Sequence, residues 1–212
     1  GSTQIPATGC SNTSSEENRC GYGPCLLRDR PDSIDISSMS DLISETASET
    51  PLSLLKRVYG YDAFRGLQDD VIANVMDGRD VLAVLPTGGG KSLCYQIPAI
   101  LRPGVGLVVS PLIALMADQV DALKALGVRA ERLDSSMSQD DKQAALQAAR
   151  AGEMDMLYVS PEALGSGLAN VLAQLDVSII AIDEAHCVSQ WGHDFRPDYR
   201  ALSRLKQLFP GV

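Results

Sequence analysis

Apolar residues recur along this chain with two different spacings. Five short, mostly apolar runs predict buried strands, because a strand covered on both faces lacks polar alternation. They are residues 80–85, 105–109, 128–133, 156–159 and 177–182. Segments with apolar residues at helical spacing lie between or before them, at residues 54–58, 67–76, 113–126, 139–150 and 168–174. This alternation predicts an α/β fold in which helices cover both faces of a parallel sheet.

Residues 1–50 differ in kind from the rest. They are rich in Ser and Thr, show neither period, and carry eight acidic against three basic residues. Such a stretch cannot bury enough apolar surface to offset chain entropy, so we expect a disordered extension before a domain at residues 51–212. The domain carries nineteen acidic and fifteen basic residues, and the whole chain has a net charge of −9. Bulk charge neither establishes nor excludes nucleic-acid binding, which depends on a local basic groove.

The first chemical motif follows the predicted strand at residues 80–85 and reads Leu85-Pro-Thr-Gly-Gly-Gly-Lys-Ser92. Three glycines allow positive φ angles and bring backbone N–H groups close to phosphate oxygens. Lys91 adds a positive charge, Ser92 offers a hydroxyl to Mg²⁺, and a helix beginning near Lys91 points its dipole at the same anion. The usual pattern begins with Gly where this chain has Leu85, but the segment from Thr87 to Ser92 keeps every group that phosphates need.

A second motif, Asp183-Glu184-Ala185-His186, follows the last predicted strand. Asp183 is placed to hold the Mg²⁺ that bridges the terminal phosphates of a nucleotide, and Glu184 to orient and deprotonate water. An isolated acidic pair is more often an ordinary helix start. Together with the glycine-rich loop, however, the pair indicates a nucleoside-triphosphate site with Lys91, Asp183 and Glu184 as catalytic residues.

Other features narrow the class. No apolar run reaches the roughly 20 residues of a membrane span, and the N-terminus lacks a signal-peptide pattern, so we expect a soluble intracellular protein. Five cysteines at irregular spacings do not form a disulfide framework. His186, Cys187 and His193 lack the spacing of zinc ligands.

Five segments of residues 52–212 together resemble the first helicase domain of RecQ-family DNA helicases of superfamily 2. These are residues 59–68, 85–92, 110–112, 183–186 and 189–196, of which the last, Ser-Gln-Trp-Gly-His-Asp-Phe-Arg, is the most specific. The resemblance implies a RecA-like P-loop NTPase sheet and ATP-driven 3′-to-5′ unwinding of duplex and branched DNA, with Mg²⁺ and with His186 in the catalytic set. It also implies work in a bacterial nucleoid or a eukaryotic nucleus.

Three residues before the glycine-rich loop resemble the adenine-reading motif of the family. Tyr61 is able to stack on adenine, Arg65 to pack on or bond the base, and Gln68 to meet the adenine edge with both donor and acceptor. Outside the family, the Tyr and Gln would instead be core and surface residues.

A loop after the acidic motif resembles the aromatic-rich loop of RecQ helicases. Aromatic faces stack on bases of any sequence, and Arg pairs with phosphate. Two strand-end loops, beginning with Ser110-Pro111 and with Ser160, are candidates for contacts to the DNA backbone or for plain helix starts. For the aromatics, a small hydrophobic cluster capping the sheet stays an alternative. The candidate DNA contacts are Ser110, Pro111, Trp191, His193, Phe195 and Arg196.

Parts of the family pattern are missing from this sequence. The strand that follows the acidic motif in RecA-like domains and the whole second helicase domain have no counterpart in it. Because that strand lies between the phosphate-loop strand and the acidic-motif strand, we expect a gap in the sheet, and without the second domain little or no unwinding. Two alternatives remain open: a nucleotide- or DNA-binding module without turnover, and an RNA helicase of the same superfamily.

Overall fold

Four parallel strands form the sheet at the centre of the protein. A computed structural model describes residues 49–86, 88–188, 202 and 204–212. The strands are β1 (Val105–Val109), β2 (Ala130–Leu133), β3 (Met156–Val159) and β4 (Val177–Ile182). Their order across the sheet is β2-β3-β1-β4, and every pair is parallel. The predicted α/β class with a parallel sheet is therefore confirmed.

Helices precede and separate these strands. The described α-helices are α1 (Pro51–Leu54), α2 (Gln68–Met76), α3 (Leu93–Leu101), α4 (Ile113–Ala125), α5 (Gln139–Arg150), α6 (Pro161–Ala163), α7 (Ala169–Leu172) and α8 (Leu205–Leu208). π-helical turns extend α1 (Leu55–Tyr59) and join α6 to α7 (Leu164–Leu168), and a 3₁₀ turn (Ala185–Val188) follows β4. In the described residues no helix is long and apolar enough to cross a membrane.

The sheet is buried on both faces, as its apolar strands require. Leu107 and Val109 belong to one core cluster, which α5, α7 and α8 cover with residues such as Ala145, Leu172 and Leu205. Val108 points to the opposite face, because successive side chains of a strand alternate. On that face the cluster takes in Met116, Val120 and Leu123 of α4 and Ala99 of α3. A third cluster joins α1, α2 and α3 through Leu54, Leu55, Ile72 and Ile97.

Strand and helix limits agree with the sequence pattern where long apolar runs or clear caps define them. Gly127 follows α4 with φ +80°, the conformation expected of a glycine that ends a helix. The helix predicted at residues 168–174 begins earlier, at Pro161. Ser160 explains the difference, because its Oγ accepts a hydrogen bond from the Ala163 amide (3.3 Å) and Pro161 is suited to the first turn.

The strand predicted at residues 80–85 is wrong, because this segment does not pair with the sheet. Its apolar side chains lie in the open, with Leu82 84% and Val84 85% exposed. A cleft of about 790 Å³ separates the segment from β4, and we call it the central cleft. An apolar run has strand character in the sheet only where a neighbouring strand satisfies its backbone, and here no described strand reaches it.

The open edge of β4 faces this cleft. The Asp183 amide donates to the Val109 carbonyl (2.8 Å). Every second residue of β4 before Asp183 therefore directs its backbone N–H and C=O groups to β1. By strand alternation, Ile180 and Ile182 turn their N–H and C=O groups the other way. The bulge residue Ser178 also lines the cleft, and its buried Oγ has no partner among the described residues. These features agree with the gap expected in the sheet, and the extension predicted at residues 1–50 lies outside the described residues except for its last two.

We predict that a strand supplied to the central cleft stabilises the domain. Lys206 Nζ lies 3.0 Å from Asp80 Oδ2 and 3.3 Å from the Val212 carbonyl oxygen, so Val212 lies at the Asp80 end of the cleft. A segment entering there and running towards Leu85 would be parallel to β4. Adding about ten to fifteen β-branched and apolar residues after Val212 should raise the free energy of unfolding by about 1–3 kcal/mol.

Urea denaturation measures this effect. A matched extension with Pro at alternate positions is the control, since Pro cannot donate to a strand ladder. Equal urea midpoints for the two extended chains would contradict the prediction.

Candidate nucleotide site

The glycine-rich loop folds tightly before α3. Gly88 and Gly90 have φ angles of +77° and +70°, as the sequence predicted for a loop that turns its amides inward. The Gly89 amide donates to the Pro86 carbonyl (3.0 Å), and the Leu93 amide donates to the Gly90 carbonyl (3.2 Å), which starts the helix. The loop therefore leads directly into the N-terminus of α3, where the helix dipole favours an anion.

Crowding explains why these positions need glycine. A Cβ atom on Gly89 would lie 2.9 Å from the Pro86 carbonyl oxygen, and one on Gly90 would lie 2.3 Å from Gln68 Nε2. Gly88 differs, because nothing lies within 4 Å of a Cβ built there. Gly89 and Gly90 therefore have no room for a side chain, whereas Gly88 has the room but a left-handed backbone.

Gln68 holds the loop in this shape. Its Nε2 donates to the carbonyls of Gly89 (3.2 Å) and Gly90 (3.1 Å), while its Oε1 accepts from the Arg65 amide (2.8 Å). The side chain is only 2% exposed. The amide predicted to meet an adenine edge is therefore engaged by the protein itself, and it would have to exchange at least one of these bonds to contact a base.

A small cavity of about 120 Å³ lies beside the loop. Tyr61, Arg65, Gln68 and Leu93 line it together with the three glycines. The Arg65 guanidinium carbon lies 5.5 Å from the centre of the Tyr61 ring, a cation–π distance, and Tyr61 is 48% exposed. The three residues predicted for base recognition are thus gathered next to the phosphate loop, with an aromatic face open to solvent.

The acidic motif begins where β4 ends. Glu184 has φ +49°, the only positive φ of a non-glycine residue in the described chain. Left-handed backbone costs an L-residue about 1–2 kcal/mol, and such strain is often kept at functional sites. The Glu184 amide donates to Asp183 Oδ1 (2.9 Å), which helps to hold this turn.

The Glu184 carboxylate has a partner at the next turn. His186 Nδ1 lies 3.2 Å from Glu184 Oε2, and the two side chains are 59% and 32% exposed. The 3₁₀ turn Ala185–Val188 brings them together, with the Cys187 amide donating to the Glu184 carbonyl (2.9 Å). His186 therefore restrains the orientation of the carboxylate that the sequence predicts to act as a base.

The central cleft unites the two motifs. Lys91, Asp183, Glu184 and His186 all line it. Lys91 Nζ contacts the Leu85 carbonyl at 3.4 Å, a long hydrogen bond that a phosphate oxygen would replace with a stronger one. In the part of the chain that the structure describes, no three His, Cys, Asp or Glu side chains form a metal-binding cluster.

Ser110 and Pro111 lie below the surface. Ser110 is 0% exposed at the carboxyl end of β1, and its Oγ has no hydrogen-bond partner in the described chain. Leu112, the next residue but one, is 45% exposed. A DNA contact through the Ser110 hydroxyl would therefore need this loop to move. Ser160 is the N-cap residue of α6. Of the two readings that the sequence offered for this residue, a helix start is therefore the one that the structure shows.

Several predicted residues lie outside the described residues. They are Thr87, Trp191, His193, Phe195 and Arg196.

Sequence reasoning missed a group of partly buried polar residues beside the central cleft. Tyr95 lines the central cleft one helical turn after Ser92, and its hydroxyl donates to Gln119 Oε1 on α4 (3.3 Å). The signal was the spacing of three between Ser92 and Tyr95, which places both on one face of α3.

The family model for DEAD/DEAH box helicases matches residues 65–210 of this chain, a span that includes both motifs. The chain therefore belongs to the DEAD/DEAH box helicase family.

Within that family, the chain is similar to RecQ helicases. It is 49% identical over 173 residues to the ATP-dependent DNA helicase RecQ of Haemophilus influenzae, covering 81% of this chain and 28% of the relative. It is 48% identical over 164 residues to the ATP-dependent DNA helicase Q-like 2 of Arabidopsis thaliana, covering 73% and 23%. The resemblance to the RecQ motor domain is thus confirmed, and the chain spans about a quarter of the length of these relatives.

Solved helicases share the fold. The DUF1998 helicase MrfA, solved bound to DNA and AMPPNP, matches with a TM-score of 0.62 and 21% identity over 77% of this chain and 24% of that one. A hypothetical ATP-dependent RNA helicase from Sulfolobus tokodaii matches with a TM-score of 0.55 and 20% identity over 76% and 46%. At these identities the two structures show the helicase fold and nothing finer.

We predict that two glycines of the loop differ in their tolerance of a side chain. Gly88→Ala and Gly90→Ala both force a left-handed Ala, at about 1–2 kcal/mol each. Only Gly90→Ala drives a methyl group into Gln68. It should lower the free energy of unfolding by about 1–3 kcal/mol more than Gly88→Ala in urea titrations.

The clash can be isolated in a Gln68→Ala background. There the two glycine variants should become alike, because the atom that collides has been removed. Equal losses for both variants in the unaltered chain would show that Gln68 does not pack on the loop as described.

Proposed function

We propose that this chain is the ATP-binding and ATP-hydrolysing first motor domain of a RecQ-like 3′-to-5′ DNA helicase. The observation that carries the proposal is the central cleft, whose lining includes Lys91 from the phosphate loop and Asp183 and Glu184 from the acidic motif. Membership of the DEAD/DEAH box helicase family supports it.

The phosphate loop fits a nucleotide tail. Its three glycines carry no side chains that would keep a phosphate group from the backbone amides, and the N-terminus of the nine-residue α3 follows at once. Lys91 would leave the Leu85 carbonyl for the terminal phosphates. Thr87 and Ser92 flank the three glycines in the sequence, and their hydroxyls would serve the same site. The loop thus supplies positioning and charge, which are most of what phosphoryl transfer asks of a protein.

The residues present also suit Mg²⁺. Ser92 offers a hydroxyl and Asp183 a carboxylate, the oxygen ligands that this ion accepts alongside phosphate. When bound, the ion neutralises charge that develops on the phosphates. Asp183 suits the role of a metal ligand because the hydrogen bond from its backbone amide to the Val109 carbonyl anchors it to the sheet.

Glu184 is the proposed general base. It would orient the attacking water and take its proton while the water oxygen bonds to the terminal phosphorus. The bond from that phosphorus to the bridging oxygen breaks in the same displacement, which releases ADP and phosphate. His186 holds the carboxylate through the 3.2 Å contact to Oε2, and Glu184 lies beyond the end of β4 with a left-handed backbone. A carboxylate fixed in this way loses little freedom when it meets the water.

The small cavity is the proposed base pocket. Tyr61 offers its open face for stacking, and Arg65 lies over the same ring. Gln68 joins the pocket to the phosphate loop, so a base that bonds its amide would compete with the Gly89 and Gly90 carbonyls. Base recognition and loop conformation are coupled at this residue.

DNA is the proposed substrate, in single-stranded and branched forms. Trp191, His193, Phe195 and Arg196 would contact it by stacking and phosphate pairing, and Ser110 and Pro111 after movement of their loop. The names of the similar RecQ proteins, all DNA helicases, favour DNA over RNA. We propose that the protein works where DNA is, in a bacterial nucleoid or a eukaryotic nucleus. Unwinding would require a longer protein that also contains a second motor domain.

We predict that two substitutions separate nucleotide binding from hydrolysis. Lys91→Ala should remove measurable binding of ATP, because it deletes the charge that meets the phosphates. Glu184→Gln should keep binding and lower turnover at least about 100-fold, because an amide cannot accept the proton. Calorimetric titration and a steady-state ATPase assay measure the two effects.

A matched control is Lys142→Ala on α5, a helix that packs on the opposite face of the sheet from α3. It should change neither ATP binding nor turnover, and all three variants should keep the free energy of unfolding of the unaltered chain within about 0.5 kcal/mol. Unchanged ATP affinity in Lys91→Ala would refute the phosphate site.

We predict that Trp191→Ala and Phe195→Ala reduce the stimulation of hydrolysis by single-stranded DNA. The test uses a helicase chain that also contains the second motor domain, with turnover measured with and without DNA. Loss of a stacking face should lower the DNA-stimulated rate about tenfold and leave the basal rate within twofold. Equal losses in both rates would assign these aromatic residues a packing role instead, and stimulation by RNA alone would favour an RNA helicase.

A further inference from the structure

A cluster of polar side chains lies between α3, β3, α4 and the π-helical turn that follows α1, with Gln96 and Tyr158 buried and the other members partly buried. The Tyr59 hydroxyl donates to Gln96 Oε1 (3.1 Å), Gln96 Nε2 donates to the Tyr158 hydroxyl (3.2 Å), and the Tyr95 hydroxyl donates to Gln119 Oε1 (3.3 Å). Tyr158 is 0% and Gln96 6% exposed. We call these five residues the tyrosine cluster. Tyr95 and Tyr158 pack in one core cluster and Tyr59 packs against another, so an unsatisfied polar group here would be costly.

One arm of the cluster reaches the metal end of the nucleotide site. Tyr95 interacts with the side chains of Ser92 and Tyr158, and it lines the central cleft with Asp183. Burial raises the pKa of Tyr95, and nearby Tyr158 and Asp183 raise it further. Tyr95 is therefore next to both residues proposed to hold Mg²⁺.

The other end of this arm is on α4. Gln119 lies in that helix, which begins at Ile113, directly after the Ser110–Leu112 loop. A helix moves largely as one body, so displacement of the loop would shift Gln119 and pull on the Tyr95 hydroxyl. The buried Oγ of Ser110, which has no partner in the described chain, marks this loop as a place where another arrangement would gain a hydrogen bond.

We propose that Tyr95 is a positioning residue that couples the Ser92–Asp183 end of the nucleotide site to α4 through its hydrogen bond to Gln119. The inference rests on the proposed function, because it concerns the same nucleotide site. Through this route, the positions of Ser92 and Asp183 would affect the position of the Ser110–Leu112 loop, which lies directly before α4. The Tyr59–Gln96 hydrogen bond lies on the other arm of the cluster, away from Asp183, and it serves as the internal comparison.

The experiment measures binding of a non-hydrolysable ATP analogue with Mg²⁺ and with a chelator. The ratio of the two affinities is the Mg²⁺ gain. Tyr95→Phe removes one hydroxyl and keeps the ring, so it should reduce the Mg²⁺ gain about fivefold and leave metal-free affinity unchanged. Gln119→Met should act in the same direction, and the double variant should lose no more than Tyr95→Phe alone, since both remove one interaction.

Tyr59→Phe is the matched control, because it removes an equivalent hydroxyl from the same cluster on the arm away from Asp183. It should leave the Mg²⁺ gain intact even if it lowers the urea midpoint. An equal loss of gain in Tyr59→Phe, or an unchanged gain in Tyr95→Phe, would overturn this inference and leave the proposed function standing. Absence of any Mg²⁺ gain in the unaltered chain would overturn the proposed function, and the inference with it.

Discussion

The hydrogen bond from the Asp183 amide to the Val109 carbonyl extends the pairing of β4 with β1 by one residue, and the acidic motif takes its position from it. A parallel sheet buried on both faces holds its strands rigidly, so a residue in register at the carboxyl end has little freedom. The chain then turns sharply through Glu184, whose left-handed backbone departs from the strand direction. Asp183 is thus anchored to the sheet and Glu184 is not, and this difference suits the separate roles proposed for the two carboxylates.

The phosphate loop is positioned in another way, because no strand of the described sheet holds it. Gln68 of α2 and the start of α3 do so, the first through two carbonyls of the loop and the second through the Gly90 carbonyl. These helices share the core cluster that contains Ile72 and Ile97. The phosphate loop is therefore attached to the layer formed by α1, α2 and α3, whereas the acidic motif is attached to the sheet. Movement between these two layers would change the distance between the halves of the site.

Apolar runs were sufficient to predict β1, β3 and β4 from the sequence, because a buried strand needs apolar residues on both faces. The same reasoning failed at residues 80–85, since an apolar pattern reveals the preference of a strand and not the presence of its neighbour. The hydrogen-bonding capacity of a side chain was likewise easier to predict than the group that it contacts. Gln68 does use both ends of its amide, but on the protein itself, and Ser110 does stand at a strand end, but below the surface. Tyr95 escaped notice because an aromatic residue in an apolar helix resembles ordinary core.

The unpaired segment at residues 80–85 links stability to function. Leu85 ends this segment and its carbonyl contacts Lys91, whereas Asp80, at the other end, contacts Lys206. The segment is thus tied at both ends and open along its length towards β4, across the same cleft that receives Asp183 and Glu184. Whatever occupies that cleft sets the separation between the phosphate loop and the acidic motif. A strand there would pair the backbone groups of β4 and, by the same contacts, hold Lys91 at a fixed distance from Asp183, so completion of the sheet and organisation of the nucleotide site are one structural event.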